Sequence, residues 1–330
     1  MTQPLPLAVT MGDPAGCGPQ ITDKAWTALK DSKRPFYVVS SQTLYDVPTV
    51  KIDTPEQAIG VFKTALPVLE LPTAIPVIET GHPRSETAPS ILGSIEIGVR
   101  QAQSGQAAAI VTNPISKALL YNAGFQHPGH TEFIADLCRP SGEEAAPKPI
   151  MMLAGGGLRV ALATIHVPLA HVPDLITEDL LIETGRIVHR DLQRKFGLAS
   201  PRIAFTGLNP HAGEAGTIGR EEVEIINPAA ESLRSEGIAI SDARPGDTVF
   251  HEALQGHFDA VIAMTHDQGL IPVKTLDMWG GVNTTLGLPI IRTSPDHGTA
   301  YEAAANGTAR ADSVIAALKL ASQMAEAAGL

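Results

Sequence analysis

The stretch LRVALATIH (158–166) has two counterparts further along, RIAFTGLNPH (202–211) and FDAVIAMTH (258–266): each is a short apolar run that ends on a histidine. Read as parallel strands, the runs bring His166, His211 and His266 out at the carboxyl edge of one sheet, where open α/β folds bind their ligands. A histidine just past a single strand is ordinarily a hydrogen-bonded loop residue; three in equivalent places form a set. Three neutral imidazoles meeting at one point would hold a divalent ion and leave a coordination position free, the arrangement of a catalytic metal. Their wide spacing makes that meeting depend on the fold.

Further β-type runs, LAVTMGDP, FYVVSS and AAAIVTNP, are closed by Gly, Pro, Asn or Ser, and longer helical patterns lie between most of them. Strands alternating with helices predict an α/β protein with a largely parallel sheet. The clearest helix starts after Thr177, an N-cap with Glu178 and Asp179 in the first turn. Leu180, Leu181, Ile187, Val188, Leu192 and Phe196 make its apolar stripe, and Gly197 its stop. A second helix follows Arg220 and is kinked or restarted at Pro228. The last presents Val314, Ile315, Leu318 and Met324 as a buried face. The Pro-rich stretch 67–89 reads as a long surface connection.

Composition narrows the function. With 330 residues, 44% hydrophobic and 18% charged, the chain can bury a sizeable core. A formal charge of -11 and 4% aromatics exclude a phosphate-backbone or base-stacking partner, so nucleic acid is not expected. Cys17 and Cys138 form no CxxC pair and no disulfide framework. The start lacks a basic region followed by a long apolar stretch, and no run approaches the roughly 18 residues needed to span a bilayer. A cytoplasmic protein with no membrane partner is expected.

Other candidate residues lie in two places. GHTEFIADLC puts His130 and Thr131 at a helix start, where Thr131 either caps the helix or helps exposed N–H groups hold a phosphate or carboxylate. Past His266, a Gly-rich stretch supplies Lys274, Asn283 and Arg292. A lysine point charge and an arginine fork suit a phosphate monoester, and an asparagine fixes a hydroxyl or carboxylate. His171, His189, His251 and His257 sit in helical or turn contexts and read as solvated. GxGxxG after a strand, GxxxxGK[ST] and GxSxG are all missing, which removes a standard Rossmann loop, a P-loop and a serine nucleophile elbow.

Taken in order, GDPAGCGP, TNPISK, GHTEF, ATIHVPL, GLNPHAGE, MTHDQG, GVNTTLGLPIIRTS and DHGTA resemble the 4-hydroxythreonine-4-phosphate dehydrogenase family of vitamin B6 synthesis. The resemblance implies an α/β/α two-subdomain fold related to isocitrate and isopropylmalate dehydrogenases. It implies residues 1–125 with 293–330 as the nucleotide side, and 126–292 as the side of metal, substrate and dimer contacts. The active site would lie in the interdomain cleft of a homodimer, with ligands drawn from both subunits.

By motif, the resemblance gives His166, His211 and His266 to one divalent ion (zinc, magnesium or cobalt). It gives His130, Thr131, Lys274, Asn283 and Arg292 to a phosphorylated hydroxy amino acid. Asp296, His297, Gly298, Thr299 and Ala300 of DHGTA resemble a nucleotide loop for NAD or NADP. The implied reaction oxidises 4-phosphooxy-L-threonine to 2-amino-3-oxo-4-(phosphooxy)butanoate, which decarboxylates to 3-amino-2-oxopropyl phosphate. Lys274 either grips the phosphate or, as a catalytic base, takes the hydroxyl proton. Alternatives are a paralogous dehydrogenase of phosphothreonate or phosphoerythronate, a metal-dependent aldolase acting on a phosphorylated substrate, and an acyl or phosphate transferase.

Overall fold

Apolar runs buried on both faces pair in parallel when helices of a dozen or more residues link them. A computed structural model describes residues 4–330 and follows that rule. Its strands are β1 (Leu7–Thr10), β2 (Phe36–Ser40), β3 (Thr49–Ile52), β4 (Leu66–Glu70), β5 (Ala109–Val111), β6 (Ile150–Gly155), β7 (Leu158–Leu162), β8 (Ile203–Thr206), β9 (Ile240–Arg244), β10 (Ala260–Ala263), β11 (Val282–Leu286) and β12 (Arg292–Pro295).

The chain divides into two compact units: the described residues up to Pro149 together with Leu288–Leu330, and Ile150–Gly287. These bounds differ from the expected 1–125 with 293–330 and 126–292. Residues 126–149, with the helix His130–Leu137, belong to the first unit, as do Leu288 to Arg292. The reason is local: Phe133, Ile134, Ala135, Leu288 and Ile290 all join the core of the first unit.

In the first unit the strand order is β3-β4-β2-β1-β5-β12, parallel throughout. In the second it is β11-β6-β7-β10-β8-β9, where β6 runs antiparallel to β7 and β11 and the other pairs are parallel. The largely parallel α/β class is therefore as expected. The Pro-rich stretch 67–89 is only partly a connection, because its first residues complete β4. Pro67 is tolerated there because β2 pairs with β4 from Val68 onward.

The helix Glu178–Phe196 has the expected ends: Thr177 Oγ1 accepts from Leu180 N–H at 3.2 Å, and Gly197 closes it at φ 69°. Past Arg220 a π-turn, Glu222–Ile226, leads into the helix Asn227–Ser235 with Pro228 in its first turn. The helix Asp312–Ala327 buries Val314, Leu318 and Met324, with Ile315 half-buried. Among the described residues no helix is long and apolar enough to cross a membrane.

Candidate active site

Because β7, β10 and β8 are parallel neighbours, their carboxyl ends share one edge of the second unit. His166, His211 and His266 follow those ends. A buried polar lattice ties the ends together: Thr164 Oγ1 donates to Met264 O at 2.6 Å, and Gln268 Oε1 accepts from Thr206 Oγ1 at 2.7 Å and Met264 N at 2.9 Å. Gln268 Nε2 donates to Gly207 O at 2.8 Å. One amide thus fastens the strand that leads to His211 to the strand that leads to His266.

The structure brings two of the three imidazoles together. The His166 and His266 rings stand 5.5 Å apart, centre to centre, and line one cavity of about 370 Å³ with Thr164, Ile165, Thr265 and Asp267. Asp267 Oδ1 lies 2.8 Å from His266 Nδ1. A carboxylate only accepts, so Nδ1 carries the proton and Nε2 keeps a free lone pair, the orientation a metal ligand needs. Among the described residues no three His, Cys, Asp or Glu side chains form a metal-sized cluster within one chain, so His211 does not complete the pair there.

Lys274 and Asn283 are also in the second unit. Lys274 sits in the last turn of the helix His266–Leu276, about 12 Å along the axis from His266 at 1.5 Å per residue. Asn283 lies in β11 opposite Leu153, and its Oδ1 is buried with no partner among the described residues. An orphaned buried amide oxygen is costly unless a ligand donates to it.

In the first unit, loops after β1, β5 and β12 meet at the carboxyl edge. Asp13 N–H donates to Pro114 O at 2.9 Å, and Cys17 N–H to Thr299 O at 2.8 Å. Tyr301 Oη donates to Asp13 Oδ2 at 2.5 Å. Burial pushes the Asp13 carboxyl up, and burial with the Asp13 charge pushes Tyr301 up to about 12. Gly12 is required where it stands: its φ is +73°, and a Cβ would lie 2.7 Å from Asn113 Cβ. The nucleotide candidates thus rest on the GDPAG loop, with His297, Gly298 and Ala300 exposed and Asp296 and Thr299 half-buried.

His130, Thr131 and Arg292 share this unit. Arg292 is buried and donates from Nε and Nη2 to Thr112 Oγ1 at 3.2 and 2.9 Å. Desolvation pulls its pKa down to about 10 against the opposing pull of Glu132, so it stays charged at neutral pH. His130 keeps some exposed surface, yet its Nε2 is sealed and unpartnered among the described residues. Burial first, then the Arg292 and Lys117 charges, hold its pKa well below the ordinary histidine value, so the ring is neutral. Thr131 does not cap its helix: Gly129 occupies the N-cap position in an extended conformation, and Thr131 lies in the first turn.

Sequence reading passed over several groups. Lys117, within the quoted TNPISK, had no role, and neither had Asp267 and Gln268, one and two residues past His266. That proximity was the available signal. His189 is not solvated: its Nδ1 is buried without a partner among the described residues, and burial lowers its pKa. His171, His251 and His257 are exposed.

Comparison with known proteins gives a consistent picture. Residues 30–321 match the family model described as pyridoxal phosphate biosynthetic protein PdxA. A 4-hydroxythreonine-4-phosphate dehydrogenase of Caulobacter vibrioides is 48% identical, covering 98% of this chain and 99% of that protein. One of Maricaulis maris is 48% identical, covering 99% of each. The crystal structure of 4-hydroxythreonine-4-phosphate dehydrogenase from Klebsiella pneumoniae superposes with a TM-score of 0.87 at 35% identity, covering 97% of this chain and 99% of that one.

Proposed function

The chain belongs to the PdxA family of pyridoxal phosphate biosynthetic proteins, and we infer that it is an oxidoreductase that oxidises the secondary alcohol of 4-phosphooxy-L-threonine. Hydride leaves for NAD⁺ or NADP⁺ and the hydroxyl proton for a base. The β-keto acid so formed, 2-amino-3-oxo-4-(phosphooxy)butanoate, loses carbon dioxide to give 3-amino-2-oxopropyl phosphate.

The observation that carries this reading is the His130 Nε2, sealed and unpartnered, with two cations, Lys117 and Arg292, acting on the ring. Two cations and a neutral ring with an unfilled nitrogen outweigh the one carboxylate that acts there, Glu132, so the place suits a further anion. We assign the substrate phosphate to Arg292, His130, Thr131 and Lys117. Arg292 is oriented in advance by Thr112, so the remote phosphate orients the reacting carbon. Asn283 offers its unpartnered carbonyl to a substrate donor. Lys274 remains the candidate for the hydroxyl proton or for the phosphate.

His166 and His266 fit a borderline divalent ion such as zinc or cobalt, and magnesium less well, because imidazole is the donor and Asp267 sets the tautomer. Such an ion, when bound, supplies Lewis acidity toward a hydroxyl, the effect that brings the pKa of bound water down to about 7. The reading takes the third donor, His211, from a second copy in a homodimer whose active site lies at the subunit interface. Exposed Ile271, Leu276, Met278 and Trp279 support it, since a lone chain leaves that apolar surface in water. The loop 296–300, seated on GDPAG, takes the nucleotide in place of a GxGxxG turn. Cys17 and Cys138 are both buried and neither is in a disulfide, which fits the reducing cytoplasm.

The test is a substrate panel. Purified protein with a divalent ion and either cofactor should generate reduced nicotinamide from 4-phosphooxy-L-threonine in preference to phosphothreonate and phosphoerythronate. Reversal of that order would reassign the substrate. Carbon–carbon cleavage without cofactor reduction would point to an aldolase, and silence with all three substrates would refute the dehydrogenase assignment.

A further inference from the structure

The most anomalous backbone in the molecule carries His211. His211, Ala212, Gly213, Glu214 and Ala215 have φ of 52, 52, 74, 44 and 55°, a run of left-handed residues of which only one is glycine. Left-handed helical geometry is unfavourable for every non-glycine residue, and glycine alone visits it freely. Such a run persists only where its surroundings over-determine it.

The surroundings centre on Glu222. Its side chain is 1% exposed, and its carboxylate accepts from Asn209 N–H at 2.7 Å and from Asn209 Nδ2 at 3.0 Å. Asn209 Nδ2 also donates to Glu221 Oε2 at 2.7 Å. Three glycines allow the wrap. A Cβ on Gly213 would stand 2.5 Å from Glu222 Oε2, one on Gly207 2.7 Å from Ala212 Cα, and one on Gly219 2.2 Å from Asn209 Nδ2. Glu222 also opens the π-turn Glu222–Ile226, a rare geometry that recurs at functional sites. No residue of this clamp has a role in the proposed reaction, yet it bonds Asn209 just before the turn that presents an exposed imidazole and abuts Gly213 within it.

We propose that Glu222 is a positioning residue: acting through Asn209 and Gly213, it holds the strained left-handed turn that aims His211 as a metal donor. The proposal rests on the metal reading of the three histidines. Metal-free protein carries the strain, and the Glu222 clamp keeps the turn from relaxing to a right-handed conformation that would point His211 elsewhere.

The test compares full-length wild type with Glu222→Ala, Glu222→Gln, Ala215→Gly and His211→Ala. Each is titrated with Co²⁺ alone while the visible absorption of the cobalt is followed, and the metal-free unfolding midpoint is measured separately. Outer groups that orient ligands change metal affinity by about 10- to 100-fold, so Glu222→Ala should weaken Co²⁺ by that factor and alter its spectrum. Glu222→Gln, which keeps one acceptor for Asn209 N–H, should recover part of both. Ala215→Gly should raise the metal-free midpoint by about 2–4 °C, because glycine relieves one strained residue.

A folded Glu222→Ala protein with wild-type affinity and spectrum overturns the proposal. Should that variant fail to fold, wild-type affinity and spectrum in Glu222→Gln, or an Ala215→Gly midpoint that does not rise, overturns it. If His211→Ala binds Co²⁺ as well as wild type does, the metal reading itself fails and the proposal with it. An effect of His211→Ala without any effect of Glu222 sinks the proposal alone.

Discussion

The two units present their chemistry in opposite ways. In the first, Arg292 is 4% exposed and His130 Nε2 is sealed, so the grip is anchored on buried atoms, with Thr131 half-buried and Lys117 exposed at its rim. In the second, His166 and His211 are exposed, both on backbone at φ 52°, and their rings stand clear of the core. An anion is held best by donors already stripped of water when the chain folds, because a low-dielectric surround strengthens each charge-assisted bond. A metal needs lone pairs kept open, so its donors are held by backbone and by second groups such as Asp267 rather than by burial. Damage to the buried anchor of the grip, Arg292, should therefore show in stability as well as binding, and damage to the metal-side imidazoles in activity alone.

The largest effect tests the exposed side. His166→Ala should lower metal-dependent turnover by about 10³-fold or more, since Lewis-acid assistance is worth several kcal/mol. Its unfolding free energy should stay within about 0.5 kcal/mol of wild type, as for other exposed positions. A large loss of stability in the metal-free variant would erase the contrast between the units.

Arg292→Lys tests the buried side. Lysine keeps the charge and loses the fork that Thr112 Oγ1 engages through Nε and Nη2. A charge-assisted bond is worth about 1.5–3 kcal/mol, so KM for the phosphorylated substrate should rise about 10- to 150-fold. The denaturant midpoint should fall as well, because a buried ammonium is left in a site shaped for a planar group. A rise in KM with an unchanged midpoint would mean that the grip, too, is independent of packing.

The same contrast explains what was legible in the chain. Runs such as LRVALATIH announce parallel strands and their exits, because burial on both faces imposes an unbroken apolar pattern. The three histidines were therefore readable as edge residues. Whether they meet was not readable, since that depends on the φ of 52° at His166 and His211, which no side-chain pattern encodes. β3, β4, β6, β9, β11 and β12 lie outside the apolar runs read as strands, and for three of them the reason is plain. β4 lies in a Pro-rich stretch, and β6 and β11 pair antiparallel and border glycine turns. The compact units divide at other residues than expected because Phe133 and Ile290 join a core that sequence distance hides. Glu222 gave no sign as a site residue because its partner, Asn209, lies 13 residues back across an irregular loop, and Gln268 offered only its nearness to His266, because its bonds to Thr206 and Gly207 reach 62 and 61 residues back.

A pH experiment sharpens the comparison further. His130 has a folded pKa well below the unfolded value of about 6.5, so the native state binds fewer protons than the unfolded one. Stability is intact above about pH 6.5 and falls below it, by up to about 1.4 kcal/mol per pH unit, until the folded ring is protonated too. His189, shifted the same way, adds to the trend. His130→Gln should lose less stability than wild type between about pH 7.5 and about pH 5.5 in denaturant titrations. Equal losses would mean that His130 is protonated in the native protein and that the cations of the grip do not govern it.

The smallest expected effect separates capping from binding at two helix-start threonines, one in each unit. Thr177 is a true N-cap in the second unit, where its Oγ1 accepts from Leu180 N–H, so Thr177→Ala should cost about 1 kcal/mol of stability. Thr131, in the first, stands one turn position inside a helix capped by Gly129, so no orphan N–H depends on its hydroxyl. Thr131→Ala should therefore change stability by less than about 0.5 kcal/mol while raising KM for a phosphorylated substrate severalfold. A loss near 1 kcal/mol with unchanged KM would return Thr131 to a purely helical role and leave the anion grip to His130, Lys117 and Arg292.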